Sequence, residues 1–323
     1  MESTTKNKQT EKDIIKMVQK AFRNDLSTEQ IMITELTEGF FNVAYEVVLP
    51  DQTVILKIAP PTTAKIMSYE NNIMRSEVDG LRLVKEKTAV PVPKVLFYDD
   101  TRSICDADYF FMEKLEGESF YKLKSNGMPQ EEVEMILEEV GRLNHEMNQI
   151  KGNIFGYIGQ EEKQGASWKE TFLSMIFDIL ADGEKIEISL GMDYDKVRSL
   201  LEKASFALEP IQQSVFVHWD LWDGNVFVKD GKITGIIDFE RALWGDPLME
   251  YYFRHSSYNK DFIRGYDTDL RAEAPIRALI YDIYLYLIMV IETKYRNYPD
   301  DWQYNFATKE LYIAVEELNK LVE

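Results

Sequence analysis

The 323-residue sequence is poor in the features that mark several protein classes. It has one cysteine, Cys105, so no internal disulfide can form and a disulfide scaffold is excluded. Its 16 glycines and 10 prolines are too few for a collagen-like or low-complexity chain. Basic residues are scarce relative to acidic ones, 37 against 56, and the net charge of −19 repels phosphate backbones and anionic lipid. Neither nucleic acid nor a membrane is therefore expected as a partner. The longest apolar stretch, Ala278 to Ile291, is about 14 residues and is interrupted by Asp282, too short for the roughly 20 that a membrane span needs. The opening Met1-Glu2-Ser3-Thr4-Thr5-Lys6 lacks an apolar signal core, and a cytoplasmic location is the expectation.

What is present divides into two regions. After a polar start, Ile14, Ile15, Val18, Ala21 and Phe22 recur at helical spacing, which predicts an amphipathic helix over 13–23. Five short segments rich in β-branched and aromatic residues follow, at 31–36, 44–49, 53–58, 94–98 and 109–114, with one helix from about 66 to 84 between the third and fourth. Beyond Glu116-Gly117, helical patterns dominate, at 131–150, 168–180, 196–208, 274–294 and 301–321. The exception is a β island at 215–217, 226–228 and 233–237, whose last two strands flank the hairpin signal Asp230-Gly231. The pattern predicts an α+β chain with a strand-rich N-terminal lobe and a helical C-terminal lobe.

The chemistry concentrates in that island. His218-Trp219-Asp220-Leu221-Trp222-Asp223-Gly224-Asn225 is followed by Ile236-Ile237-Asp238-Phe239-Glu240. If the hairpin forms, Asp220, Asn225 and Asp238 converge, and hard oxygen ligands of this kind suit Mg²⁺ together with substrate phosphates. The plain alternative is a set of turn residues, since Asp, Asn and Gly favour loops in any case. The spacing His-x-Asp-x-x-x-x-Asn, with Asp thirteen residues beyond the Asn, decides between them. It is that of the catalytic and metal loops of protein-kinase-like phosphotransferases. With Trp after His and Asp238-Phe239-Glu240 at the metal strand, the chain resembles the aminoglycoside phosphotransferase and choline kinase-like branch over almost its whole length.

The resemblance implies a bilobal fold: a nucleotide-binding lobe over 1–112, a hinge over 113–117, and a helical lobe over 118–323 carrying the catalytic loop and acceptor site. It implies ATP as phosphoryl donor, with GTP as the alternative, and Mg²⁺ held by Asn225 and Asp238. Asp220 takes the role of orienting or deprotonating the acceptor hydroxyl. Gly39 and Asn42, in Leu36-Thr37-Glu38-Gly39-Phe40-Phe41-Asn42, correspond to the nucleotide-covering loop. Lys57, a cation on an otherwise apolar strand that needs a partner there, corresponds to the lysine on the α- and β-phosphates. Glu77 is its expected partner, preferred to Glu70 because of its spacing to Leu81 and Val90-Pro91-Val92-Pro93. The carbonyl of Glu113 and the N–H of Leu115 would read the adenine edge, with Met112 packed behind it.

His145 and His218 are expected to be structural, Cys105 is assigned no chemistry, and a surface or core place is expected for His255. Gly245-Asp246-Pro247-Leu248-Met249-Glu250-Tyr251 departs from the family pattern at Glu250 and Tyr251. Trp168 opens a helical insert that, by resemblance, helps wall the acceptor pocket. The acceptor is expected to be a hydroxyl-bearing small molecule such as an aminoglycoside or related antibiotic. Asp223, Glu240, Asp246 and Glu250 near the loop would steer a cation toward it, or Trp222 or Trp244 would hold a choline-like cation. The alternatives are a metabolite kinase of choline, homoserine or sugar type and an inactive nucleotide-binding module, in either case as monomer or homodimer. A protein kinase is disfavoured because a Gly-x-Gly-x-x-Gly loop, an Ala-Pro-Glu segment and room for an activation loop are all missing.

Overall fold

In the computed structural model, which describes residues 5–22, 28–37 and 41–323, the alternating N-terminal segments form one antiparallel sheet. In chain order the elements are α1 (Glu11–Ala21), β1 (Met32–Leu36), β2 (Val43–Val48), β3 (Thr53–Ile58), α2 (Ile73–Lys87), β4 (Val95–Asp99) and β5 (Tyr109–Glu113). The strand order is β1-β2-β3-β5-β4, so β3 lies at the centre and is buried on both faces. Side chains alternate across a strand, and the two faces of β3 meet different helices. Val54, Leu56 and Ile58 pack with Ile14, Met17 and Val18 of α1. Ile55 packs with Met74, Val78 and Leu81 of α2. Lys57 shares the parity of Ile55, so the strand period alone carries its ammonium toward α2.

The helix expected from about 66 starts later. Ser68–Glu70 is a single 3₁₀ turn, Asn72 adopts a left-handed φ of 56°, and α2 proper begins at Ile73. Two tertiary bonds hold this break: the Asn72 side-chain amide donates to the Gly159 carbonyl (3.1 Å), and Glu70 pairs with Arg296 (2.7 Å).

The C-terminal region comprises β6 (Glu118–Ser119), α3 (Phe120–Ser125), α4 (Gln130–Asn148), β7 (Gly156–Tyr157), α5 (Trp168–Lys185), α6 (Tyr194–Ala204), β8 (Val215–Val217), β9 (Val226–Lys229), β10 (Lys232–Ile236), β11 (Leu243–Gly245), α7 (Lys260–Tyr266), α8 (Leu270–Glu273), α9 (Pro275–Tyr295) and α10 (Trp302–Val322). α9 is buried nearly all round, as its largely apolar composition requires. Of its two buried acids, Asp282 is 1% exposed and pairs with Arg271 at 2.7 Å, and Glu292 is 6% exposed and pairs with Arg296 at 3.2 Å. α4 and α7 approach closely at Gly141 and Gly265, where a Cβ would meet the Phe262 and Glu138 carbonyl oxygens at 2.1 and 1.8 Å. The segment expected as helix over 196–208 ends as α6 at Ala204 and tightens to a 3₁₀ turn over Ser205–Leu208, with the Ser205 hydroxyl bonded back to the Glu202 carbonyl. The β9–β10 hairpin turns on Asp230 (φ 49°) and Gly231 (φ 70°), the paired left-handed residues of a type I′ turn. Among the described residues, no helix is long and apolar enough to cross a membrane.

α1 is fastened to the far edge of the sheet by charge as well as packing. Lys20 Nζ donates to Asp99 Oδ2 (2.5 Å), Thr101 Oγ1 (3.1 Å) and Ser103 Oγ (3.0 Å). Burial would raise the Asp99 carboxyl, but hydrogen bonds from Lys20 and Thr101 outweigh it and hold the group at about 2. A carboxyl lowered in the folded state stabilises the fold above its unfolded pKa of about 3.9, and that stability fades as pH falls from about 4 toward 2. Asp99→Asn should therefore lower unfolding stability by about 1.5–3 kcal/mol at neutral pH. The gap to wild type should narrow below about pH 4, as read from urea midpoints across that range.

Candidate active site

The loop from His218 to Asn225 joins β8 to β9, and the next turn carries Asp238 just past β10. Its shape is fixed from beneath. The His218 ring is fully buried; Nδ1 accepts the Asp220 N–H (3.2 Å) and Nε2 lies 3.1 Å from the Ile237 carbonyl. This pattern selects the neutral tautomer with its proton on Nε2, and burial pushes the imidazole pKa down. His218 thus braces the two halves of the site.

Trp219, immediately before Asp220, adopts φ 67°, an unfavourable conformation for a bulky residue. Both its peptide groups are held: its N–H donates to Glu250 Oε2 (3.0 Å) and its carbonyl accepts from Arg254. The other Glu250 oxygen accepts from the His218 N–H (2.9 Å) and from the side-chain amides of Asn144 (2.9 Å) and Asn148 (3.0 Å). A fully buried carboxylate with four donors is a rigid anchor. Glu250 is therefore not a surface charge that steers a cation, as the sequence led us to expect. The departure at Glu250 and Tyr251 was the only signal available, and it could not say that the carboxylate turns inward.

Lys57 lies between two carboxylates, with Nζ 2.6 Å from Glu77 Oε1 and 2.8 Å from Asp238 Oδ1. Glu70, the other candidate partner, is engaged with Arg296. α2 reaches Asp238 because Gly80 lets it close on Phe239: a Cβ there would sit 3.2 Å from the Phe239 Cβ. Asp238 has φ 70°, which turns its side chain back toward Lys57. The Asn42 side chain donates to Glu240 Oε2 (2.9 Å), tying the segment after residue 40 to the metal strand. Gly39 lies outside the described residues.

Oxygens of Glu77, Asp238 and Glu240 lie within 4.8 Å of one another, facing a single ammonium. Burial raises Glu77 and Glu240, with Asp238 pushing both further up, whereas Lys57 overrides burial to lower Asp238. Burial would lower Lys57, but Asp238 and Glu77 more than offset this and raise it. Three carboxylates thus crowd one ammonium, which drives Glu77 and Glu240 toward their protonated forms, and Glu77 Oε2 is buried without a hydrogen-bond partner. Nearby, the Asn225 amide nitrogen is committed to the Asp220 carbonyl (2.8 Å), which leaves its side-chain oxygen for another partner. A hard divalent cation suits this donor set.

The remaining expected residues fall as follows. Glu113 ends β5, with its carboxylate accepting the Lys94 N–H (2.9 Å), and the Leu115 side chain lies over Gly235 of β10, where a Cβ would meet it at 2.4 Å. Met112 is buried, and His145 stacks on Tyr266 at 5.0 Å. His255 is exposed on its side chain, 3.6 Å from Glu310. Cys105 is half-buried against the Ala107 carbonyl.

The acidic residues expected to steer a cation are all occupied. Asp223 pairs with Lys124 (2.5 Å) and the Tyr252 hydroxyl, Asp246 with Arg277 (2.5 Å) and the Tyr281 hydroxyl (2.7 Å), and Glu240 with Asn42. Trp168, which opens α5, is 1% exposed and bonded to Tyr281 (2.7 Å), so the first residue of the insert is anchored in the core. Beside Asp220 there are arginines instead, which the sequence reading did not single out. The Arg241 guanidinium lies 5.3 Å from the Tyr69 ring and 5.2 Å from the Trp219 ring, and Arg254 is 5.0 Å from the same Trp219 ring.

Residues 33–276 match the family described as the phosphotransferase enzyme family. A 53-residue segment, 16% of this chain, is 42% identical to an aminoglycoside 3′-phosphotransferase of Enterococcus faecalis, and the match spans a fifth of that relative's length. The fold is similar to that of a thermostable mutant of aminoglycoside phosphotransferase APH(4)-Ia, solved in ternary complex with ADP and hygromycin B. The TM-score is 0.65 at 17% identity, over 93% of this chain and 97% of that one. It is also similar to APH(2″)-IIa in its ternary complex with streptomycin and ATP, with a TM-score of 0.60 and 15% identity over 97% of each chain. With the family match covering most of its length, the chain belongs to the phosphotransferase enzyme family.

Proposed function

We propose that the protein transfers the γ-phosphoryl group of ATP to a hydroxyl of a small molecule in the cytoplasm. The observation that carries this reading is the buried Lys57–Glu77–Asp238 triangle next to the Asp220–Asn225 loop. Lys57, held by Glu77, is placed to bind the α- and β-phosphates. Asp220 receives the acceptor's proton as the hydroxyl oxygen forms its bond to the γ-phosphorus. The bond from that phosphorus to the bridging oxygen breaks and its electron pair leaves with ADP. Asn225 and Asp238 would hold Mg²⁺, which when bound neutralises charge on the β- and γ-phosphates. Because phosphoryl transfer is loose, positioning and charge neutralisation supply most of the rate. The hinge backbone at Glu113 and Leu115 would read the base, with GTP as the alternative donor. By analogy with the related proteins the acceptor is an aminoglycoside or related antibiotic. The second reading, a metabolite kinase, is favoured by the internal engagement of Asp223, Asp246 and Glu250.

Asp220→Ala should lower kcat about 10²–10⁴-fold while nucleotide still binds, and Asp238→Ala should be at least as damaging and should also weaken nucleotide binding in Mg²⁺. Steady-state ADP release and nucleotide titration of both variants check this; an Asp238→Ala protein with full turnover would refute the metal assignment. Chelation by EDTA should abolish ADP release and excess Mg²⁺ should restore it, whereas undiminished turnover in EDTA would remove the metal from the mechanism.

A further inference from the structure

The reaction above leaves unused a second group of charges around Trp219, next to Asp220. Arg241 makes no hydrogen bond to a described residue, its Nε is buried without a partner, and its nearest carboxylate, Glu292, is 3.9 Å away. Glu292 is itself shared with Arg296 (3.2 Å), which also takes Glu70. Arg254 is 6% exposed, spends one donor on the Trp219 carbonyl and forms no carboxylate ion pair among the described residues. Both guanidinium groups interact electrostatically with Asp220. A guanidinium has five N–H donors and cannot shed its charge, so leaving Arg241 Nε unmatched in a buried site, with only a 3.9 Å ion pair to Glu292, is costly. Stacking on Tyr69 and Trp219 offsets only part of this.

The same stacking removes the surfaces that a cationic acceptor would use. Trp219 already has Arg241 and Arg254 against its ring, Tyr69 has Arg241, and Phe41 has Arg296 at 5.4 Å. Carboxylates that would pair with ligand ammonium groups point inward, as described above. Glu292 and Arg296, which set how far Arg241 is neutralised, lie beyond residue 276, where the family match ends. Arg241 and Arg254 themselves lie within the family match, and Arg241 also acts on Asp238 and Glu240 through space.

We propose that Arg241, supported by Arg254, binds an oxyanion on the acceptor, so that the acceptor is a hydroxylated carboxylate or phosphate ester and not a polycation. The proposal rests on the phosphotransferase reading, takes its metabolite-kinase form and replaces the antibiotic acceptor drawn by analogy. The planar fork of arginine matches either oxyanion in bidentate fashion, and Asp220 remains free for the neighbouring hydroxyl.

The test is calorimetric titration of the full chain, first with AMP-PNP and Mg²⁺ and then, on that complex, with D-glycerate, glycerol 3-phosphate, glycerol and hygromycin B. D-glycerate or glycerol 3-phosphate should bind, the stronger of the two identifying carboxylate or phosphate, while glycerol and hygromycin B should not. Arg241→Gln should weaken the oxyanion probe about tenfold and keep AMP-PNP affinity. If that variant does not fold, Arg241→Lys, which keeps the charge without the fork, should show a smaller loss of the same kind. Binding of hygromycin B equal to or tighter than the oxyanions, or oxyanion binding that is absent or indifferent to Arg241, overturns the proposal. Loss of AMP-PNP affinity alone in Arg241→Gln also overturns it, by assigning the arginine to nucleotide. A wild-type protein that does not bind AMP-PNP with Mg²⁺ overturns the phosphotransferase reading itself and this one with it.

Discussion

An ammonium group buried at the centre of a sheet must find counter-charge, and the arrangement of the N-terminal lobe follows from how Lys57 does so. β3 is central because it is apolar on both faces, and its alternation leaves Lys57 on the face covered by α2. Glu77 on that helix supplies one partner at 2.6 Å and Asp238, from the other lobe, supplies the second at 2.8 Å. The ion pair is thus also a joint between the lobes. Breaking a buried pair by removing one member leaves an uncompensated charge, so α2, β3 and the turn after β10 are mutually constrained. Gly80 permits the approach of α2 to Phe239, and Asn42 extends the same network to Glu240.

The catalytic loop depends on a second, separate constraint. Trp219 is held in a left-handed conformation by Glu250 beneath its N–H and Arg254 on its carbonyl, while the neutral ring of His218 spans from the Asp220 N–H to the Ile237 carbonyl. Local strain persists where the surroundings over-determine it, and here both peptide groups of Trp219 and both of Asp220 have partners. The backbone that carries the Asp220 carboxylate is in this way fixed from beneath, by His218, Asn225, Glu250 and Arg254.

Much of this was legible in the sequence because it rests on short-range regularities. Strand alternation located β3 and hence the side on which Lys57 emerges; helical stripes located α4, α9 and α10; Asp230-Gly231 located the hairpin. The motif spacing brought Asp220, Asn225 and Asp238 to one place. What stayed hidden is long-range. The start of α2 at Ile73 is set by Asn72 and Glu70 reaching Gly159 and Arg296, far away in the chain. Glu250 reads as an exposed acid until its four donors from two distant segments are seen. Trp168 shows in the sequence only as the start of a helical insert, and its buried bond to Tyr281 comes from a residue 113 positions away. Arg241 and Arg254 have no sequence signal, since their importance comes from which rings and charges surround them.

This distinction bears on how charge should be used to infer a ligand. A net charge of −19 and a set of acids flanking the catalytic motif suggest a cationic acceptor, but net charge governs long-range encounter and solubility. Recognition depends on groups that face the ligand with unspent hydrogen-bonding capacity. In this site three carboxylates, Glu77, Asp238 and Glu240, gather about the one ammonium of Lys57, a donor set that on the proposed reading complements a metal rather than an acceptor. Around Trp219 the group left under-satisfied is the Arg241 guanidinium, with Arg254 against the same ring. On the proposed reading the site is polarised, acidic where Asn225 and Asp238 would hold Mg²⁺ and basic near Trp219, so that the local polarity at the acceptor end would be opposite in sign to the charge of the whole chain.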